Sequence, residues 1–265
     1  MVVLITGISS GFGLETAKLL AKEGHIVYGT IRREVEPLEE VHYLKVDVRD
    51  KEAVGDVVKQ IIETEGRIDV LVNNAGMGIG GPLEFATEEE IRLQMDTNFM
   101  GLVHCVDAVL PYMRQQKSGK IIALSSIGGL MGLPFQGFYS ASKFAIEGYC
   151  EALRLETRQF GIKIIVMRPG DFSTGFTASR KKVVNAEAMQ IYKTYVESIA
   201  KVEHDETNGL KPQVLARRIS QIIRKKNPRY GYVVASFEQR LSVFLKRVLP
   251  ARWFAWILGG YYKLW

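Results

Sequence analysis

Tyr139 and Lys143 stand four residues apart in Tyr139-Ser140-Ala141-Ser142-Lys143, and Ser126 precedes the tyrosine by thirteen residues. On a helix, residues four apart share a face. An ammonium held beside a phenol favours phenolate and lowers a pKa that is about 10 in water. A serine hydroxyl at the end of a neighbouring strand can share a small target with that phenol, such as a carbonyl oxygen. This is a proton-transfer site in outline. The same spacing also occurs in ordinary surface helix pairs, so the chemistry depends on whether the chain supplies a hydride and the elements to hold it.

Those elements follow from the pattern of apolar residues. Val2–Thr6 is a short apolar run that enters Gly7-Ile8-Ser9-Ser10-Gly11-Phe12-Gly13. A helix pattern then continues through Lys22, with Leu14, Ala17, Leu20 and Ala21 on one face and Gly24 as its stop. Strands are expected at 25–31, 41–46, 68–72, 120–124 and 163–167, with an edge strand at 230–235. Helices are expected at 52–65, 87–116, from the Tyr139 region to about 160, and at 212–226. Alternation at this spacing calls for a parallel sheet of about seven strands covered by helices on both faces, a single doubly wound α/β domain. The strands are continuous apolar runs, as a sheet buried on both faces requires. A glycine-rich turn between the first strand and helix is suited to a dinucleotide pyrophosphate, which would sit on backbone N–H groups at a helix N-terminus.

Composition narrows the classes. With 265 residues, 47% hydrophobic and 24% charged, the chain suits one well-buried core rather than disorder. The four histidines are scattered, and Cys105 and Cys150 lack ligand spacing, so no metal site is expected. The two cysteines are expected to be buried free thiols in a reducing compartment. The start of the chain runs directly into a strand, with no signal-peptide pattern, and no apolar run reaches spanning length. A cytoplasmic protein is expected. Its net charge of +6 is unevenly spread: from Lys211 onward twelve Lys and Arg face Glu238 alone.

The motifs Thr6-Gly7-x3-Gly11-x-Gly13, Asn73-Asn74-Ala75-Gly76, Asn98, Ser126, Tyr139-x3-Lys143 and Pro169-Gly170-x3-Thr174 occur in one order and register. In this the chain resembles the short-chain dehydrogenases/reductases, closely over residues 1–175 and in layout to about 235. The resemblance implies a Rossmann-like domain over 1–235; beyond it, the residue pattern of 236–265 predicts a helical, basic and aromatic extension. It implies that Gly7, Ser9, Ser10, Gly11, Phe12 and Gly13 receive the pyrophosphate. Asp47 and Val48 would border adenine; Asn73, Ala75 and Gly76 would form the turn that supports the central sheet and lets the adenosine ribose approach, with Asn74 also in the cofactor-binding set. Pro169, Gly170 and Thr174 would seat the nicotinamide. The catalytic set it implies is Asn98, Ser126, Tyr139 and Lys143. Asn98 holds a water of the proton relay and Ser126 bonds the substrate oxygen. Tyr139 is the general acid/base, and Lys143 bonds the nicotinamide ribose and depresses the tyrosine pKa.

Cofactor choice turns on the end of the second strand. Thr30 stands where an NAD enzyme would place an acid, and Arg32 and Arg33 follow, which favours NADP(H) over NAD(H). Ser10 occupies a position where many NADP-preferring relatives carry a basic residue.

The expected substrate loops offer Ile127, Leu130, Met131, Leu133, Phe135, Phe138, Phe172 and Phe176, with Arg180, Lys181 and Lys182 as the only candidates for an anion clamp. An apolar pocket follows, suited to a steroid, a sphingoid ketone or another lipid; within the family, hydroxysteroid dehydrogenases and 3-ketosphinganine reductases act on such molecules. Residues 237–265 pair apolar helix faces with Trp253, Trp256, Trp265 and basic flanks. That mixture fits a peripheral contact with an anionic leaflet, or a tail packed on its own domain or a sister subunit. Nucleic-acid binding is not expected, because no recognition module accompanies the charge. A homodimer or homotetramer is implied by the family. Two rival readings remain: a silent nucleotide-binding scaffold, and an epimerase or dehydratase on the same fold.

Overall fold

The computed structural model describes residues 1–183 and 185–265. The described residues form nine strands: β1 (Val2–Ile5), β2 (Ile26–Ile31), β3 (Val41–Lys45), β4 (Val70–Asn73), β5 (Ile79–Gly80), β6 (Gly119–Leu124), β7 (Ile162–Pro169), β8 (Lys181–Lys182) and β9 (Gly231–Val234). Seven of them form one sheet in the order β3-β2-β1-β4-β6-β7-β9, parallel at every pairing. The chain starts in the middle at β1, moves outward to β3, then crosses back to β4 and outward again. That reversal opens a crevice at the carboxyl ends of β1 and β4, where doubly wound sheets bind ligands.

Helices α1 (Gly11–Lys22) and α9 (Pro212–Ile223) cover one face; α2 (Lys51–Glu65), α4 (Gly101–Gln115) and α5 (Gly137–Thr157) cover the other. Successive strand residues point to opposite sides. Leu4, Leu71, Ile121 and Ile164 therefore meet Val58, Val106 and Ile146, while Val3, Ile5, Ile122 and Ile165 meet Ala17, Leu20, Leu215 and Ile219. Each fully buried side chain of this kind contributes about 1.5–3 kcal/mol from burial. Cys105 and Cys150 are buried free thiols, and burial pushes both up to about 12. The expected edge strand at the C-terminal side of the sheet is β9.

The helix expected over 87–116 is interrupted. Thr87 starts α3 (Glu88–Met95) with a reciprocal capping box to Glu90, but Asp96–Met100 forms a π turn before α4 begins. A single extra residue in a turn leaves the apolar repeat readable on both sides, so periodicity passes through the bulge unnoticed. Val48 takes up the space beside Gly101, where a Cβ would collide with it.

Beyond β7 come α6 (Gly175–Ser179), α7 (Ala186–Ile191) and α8 (Tyr195–Thr207), and after β9 come α10 (Phe237–Val248) and α11 (Ala251–Tyr261). The short pair β5–β8 ties the loop after β4 to the loop after β7, through Ile79–Lys181 and Gly80–Lys182. No helix among the described residues is long and apolar enough to cross a membrane.

Candidate active site

The glycine turn is built by its own backbone needs. Gly7 and Gly11 hold left-handed φ values of 72° and 58°, a region that costs a residue with a Cβ. A Cβ on Gly13 would collide with the Gly7 carbonyl and the Asn74 amide, so Gly13 permits the close packing of turn, helix and β4. Asn74 Nδ2 donates to the carbonyls of Thr6 (2.9 Å) and Gly7 (2.8 Å). Thr6 Oγ1 accepts from the backbone N–H groups of Asn74 and Ala75. These bonds lock the first and fourth strand ends together.

Gly7, Ser9, Ser10, Gly11 and Phe12 border one cavity of about 880 Å³, with Ser10 at the N-cap of α1 making no side-chain capping bond. The first amides of α1 therefore remain open to an anion. Further along the same cavity come Arg32, Arg33, Asp47, Val48, Asn74, Ala75 and Gly76, and then Pro169, Gly170 and Thr174. An uncapped helix N-terminus beside a glycine turn, the Asp47 carboxylate and the turn beyond β7 border this one cavity, so the residues present fit a nicotinamide dinucleotide.

At the end of β2, Thr30 is buried and borders the cavity, and its hydroxyl accepts from the Gly7 N–H at 3.0 Å. Glu34 does not border the cavity and is engaged by Lys45. Asp47 is clasped by Arg49, with Nη2–Oδ2 at 2.7 Å, and this bonding holds its carboxyl below the usual range.

Three of the four catalytic candidates, Ser126, Tyr139 and Lys143, border the same cavity. Ser126, just beyond β6, accepts from the Gly128 N–H at 3.0 Å, and its own proton is available to an oxygen in the site, that of Tyr139 or of a ligand. Ser125, its neighbour, is buried without a hydrogen-bond partner among the described residues and borders the same space. Tyr139 and Lys143 both line it from α5. The lysine is buried and donates to the Leu124 carbonyl at 2.7 Å, with its nitrogen 5.7 Å from the centre of the tyrosine ring.

The tyrosine departs from the expectation of a lowered pKa. Burial pushes Tyr139 up to about 12, and the Ser126 interaction only partly offsets it; Lys143 is pulled down to about 8, again by burial. Desolvation outweighs the ammonium because the Lys143 bond is directed at a carbonyl rather than at the phenol oxygen.

Asn98 does not border the cavity. It sits in the π turn, 1% exposed, and its side chain is fully engaged. Oδ1 accepts from the Met77 N–H (2.8 Å), while Nδ2 faces the Met77 carbonyl and Ser142 Oγ, each at 3.0 Å. Ser142 Oγ in turn donates to the Tyr139 carbonyl. The asparagine thus braces the first turns of α5 from behind.

Of the expected substrate residues, Ile127, Met131, Leu133, Phe172 and Phe176 line the cavity; Leu130, Phe135 and Phe138 do not. The candidate anion clamp does not form. Arg180 is buried on Glu206, Lys182 pairs with Glu203, and Lys181–Lys182 are held in the β5–β8 pair. No local pattern in the chain points to the rest of the wall. Leu241, Leu245, Phe254, Ile257, Leu258 and Tyr261 enter it from α10 and α11, Tyr262 follows just beyond α11, and Asp171, Asp205 and Glu206 add carboxylates. Gln239 was also missed, being sixty-eight residues from the aspartate it bonds.

The sequence model of the short chain dehydrogenase family matches residues 1–185. The chain is 48% identical over 264 residues to a 3-ketodihydrosphingosine reductase of Bacteroides thetaiotaomicron, spanning 99% of this chain and 98% of that protein. It is 41% identical over 191 residues to human 17-beta-hydroxysteroid dehydrogenase type 1, spanning 66% of this chain and 58% of the human protein. The crystal structure of a short-chain dehydrogenase from Streptomyces avermitilis superposes with a TM-score of 0.80 at 27% identity, covering 99% of this chain and 96% of that one. With its parallel sheet, its glycine turn and its clustered serine, tyrosine and lysine, this chain belongs to the short-chain dehydrogenase family.

Proposed function

We propose that the chain is an NADP(H)-dependent ketoreductase of long-chain, lipid-like ketones, with a 3-keto sphingoid base preferred to a steroid. The observation that carries this reading is the continuity of the cavity: it passes from the glycine turn, past Ser126 and Tyr139, to an apolar wall supplied by α10 and α11. The relative named as a 3-ketodihydrosphingosine reductase matches across nearly the whole chain, whereas the steroid dehydrogenase match extends over 191 residues.

The acidic lining supports the same choice. Asp171, Asp205 and Glu206 face two internal cations, Lys201 and Arg180, and burial with the neighbouring carboxylates raises Asp171 to about 7. The charges of Glu206 and Asp171 reach Tyr139 as well. A ketone bearing an ammonium on the adjacent carbon would relieve this excess; a neutral steroid ketone would not.

In the proposed reaction Ser126 donates a hydrogen bond to the substrate carbonyl oxygen and fixes it beside Tyr139. The raised tyrosine pKa keeps the proton on the phenol at neutral pH, the form a reduction requires. Tyr139 then gives this proton to the carbonyl oxygen as negative charge develops there. Lys143, held by Leu124, keeps a positive charge close to that oxygen and in reach of a ribose. Asn98 and Ser142 hold α5 so that these groups keep their spacing. When bound, the nicotinamide supplies the hydride to the carbonyl carbon. Arg32 and Arg33 favour a 2′-phosphate, because the acid that would accept from a 2′-hydroxyl is replaced by Thr30.

The test is turnover of NADPH with 3-ketosphinganine, its N-acetyl derivative, a steroid ketone and a short-chain ketone. The free amine is expected to be the best substrate, with the acetylated form reduced at least about tenfold less efficiently. Equal rates on the steroid would overturn the substrate assignment. Tight cofactor binding with no turnover on any ketone would favour the scaffold.

A further inference from the structure

The helices that close the substrate cavity carry a second, outward surface. On α10, Phe237, Leu241, Phe244 and Val248 fall at intervals of four, three and four residues, which places them in a single stripe. All four are exposed. At 100° per residue, Ser242 and Leu245, which line the cavity, lie on one flank of that stripe, and Arg240 and Arg247 lie on the other.

Helix α11 repeats the order. Trp253, Trp256 and Ile257 form its exposed stripe, Phe254, Leu258 and Tyr261 turn to the cavity, and Arg252 stands on the far flank. The two helices thus present, side by side, a basic edge, an apolar band and the mouth of the pocket. Leu241, Ile257 and Tyr261 line the cavity and are also 43%, 41% and 46% exposed, so the band runs directly into the mouth.

Two further observations identify what this band meets. All three tryptophans of the chain lie in this region, at 61%, 69% and 70% exposure, although soluble surfaces rarely leave so much apolar area together. Arg240, Arg247 and Arg252 form no ion pair among the described residues. Indoles at the rim of an apolar face, flanked by unpaired guanidinium groups, match the headgroup zone of an anionic leaflet. The helices are too short to cross a bilayer, so the contact is parallel to its surface.

We infer that α10 and α11 form a membrane-seated portal: their outer stripe enters an anionic lipid surface, and their inner faces receive a lipid ketone from that surface into the cavity. The function of the portal rests on the lipid-ketone reading, but its binding can be measured without turnover. The three tryptophans report on the surface without a label. Full-length protein is mixed with vesicles of phosphatidylglycerol and phosphatidylcholine in equal parts, and with phosphatidylcholine alone. Tryptophan emission and co-sedimentation are recorded, and quenching by lipids brominated near the headgroup gives the depth. The expected result is a blue shift, shallow quenching and sedimentation with the anionic vesicles, weakened by salt.

Two variants separate contact from folding. Phe244→Ser with Trp256→Ser removes apolar contact, and Arg240→Glu with Arg247→Glu and Arg252→Glu reverses the charge; neither set lines the cavity. Each should weaken vesicle binding by roughly a hundredfold. Turnover of a vesicle-borne long-chain ketone should fall in parallel, while turnover of a short, water-soluble ketone stays at the parent rate. Absence of binding to anionic vesicles would overturn the portal, as would unchanged binding in both variants. A concentration-dependent dimer that buries the tryptophans and excludes vesicles would overturn it as well. Binding without turnover on any ketone would leave the membrane surface in place and sink the ketoreductase reading instead.

Discussion

Gln239 and Asp171 hold each other at two points: the glutamine Nε2 donates to Asp171 Oδ2 at 2.6 Å, and its Oε1 accepts from the Asp171 N–H at 3.1 Å. The first turn of α10 is thereby fixed to the loop that leaves β7 at Pro169-Gly170. A Cβ on Gly170 would collide with the same glutamine, so the loop and the helix have no room to separate their conformations. Replacing Gln239 with Ala leaves a partly buried N–H and a carboxyl without partners, a cost of about 2–3 kcal/mol. Thermal unfolding should fall by on the order of 5 °C, and KM for a long-chain ketone should rise several-fold more than KM for a short one. Equal changes in the two KM values would mean that the contact does not position the wall.

Asp171 itself imposes a pH dependence on stability. Burial and the nearby carboxylates raise it from 3.8 to about 7, so the folded state holds a proton that the unfolded state releases earlier. The stability from this group is present in full below its unfolded value and is lost as pH rises through about 7. Asp171→Asn mimics the protonated carboxyl and should raise Tm at pH 8 while leaving it nearly unchanged at pH 4. Thermal scans across that range check the sign; a variant less stable at pH 8 would contradict it.

Cofactor preference should follow the end of β2. Arg32→Asp removes a cation suited to a 2′-phosphate and places a carboxylate at the rim of the ribose end. Loss of one charge-assisted contact is worth about 1.5–3 kcal/mol, so KM for NADPH should rise roughly ten- to hundredfold while KM for NADH changes little. Steady-state kinetics with both cofactors decide it, and an unchanged preference would refute the assignment.

The rate of reduction should depend on pH through Lys143. Its ammonium is pulled down to about 8 by burial, whereas Tyr139 is pushed up to about 12. Both groups are needed in their protonated forms, so kcat/KM for the ketone should be level below about pH 8 and decline above it. Oxidation of the alcohol requires the opposite state of the tyrosine and should gain as pH rises. A reduction rate that climbed through pH 8–9 would show that the lysine charge does not serve the proton transfer.

Much of this site could be read from the chain because its parts are local. The glycine turn, the Tyr139–Lys143 helix face and Pro169-Gly170 each lie within a few residues, and backbone sterics or helical spacing fix them without tertiary information. The fold followed for a similar reason: fully apolar strands in alternation with amphipathic helices have few ways to pack.

What stayed hidden depends on distant contacts. The π turn that aims Asn98 at Met77 and Ser142 leaves the helical repeat intact on both sides. The pairing of Gln239 with Asp171 joins segments far apart in the chain, as does the burial of Arg180 on Glu206. The sign of the Tyr139 shift reflects desolvation, which spacing does not reveal: four residues place the ammonium on the right face but do not say which acceptor its protons will find.

In the proposed mechanism, delivery of the proton by Tyr139 is the central step, and one substitution tests it most directly. Tyr139→Phe removes only the hydroxyl from a side chain whose ring packs 5.7 Å from that of Phe176, so folding should be retained. NADPH affinity, read by fluorescence titration, should stay within about twofold of the parent, and single-turnover reduction of the long-chain ketone should fall by about 10²–10⁴-fold. Reduction at the parent rate with intact cofactor binding would contradict the mechanism.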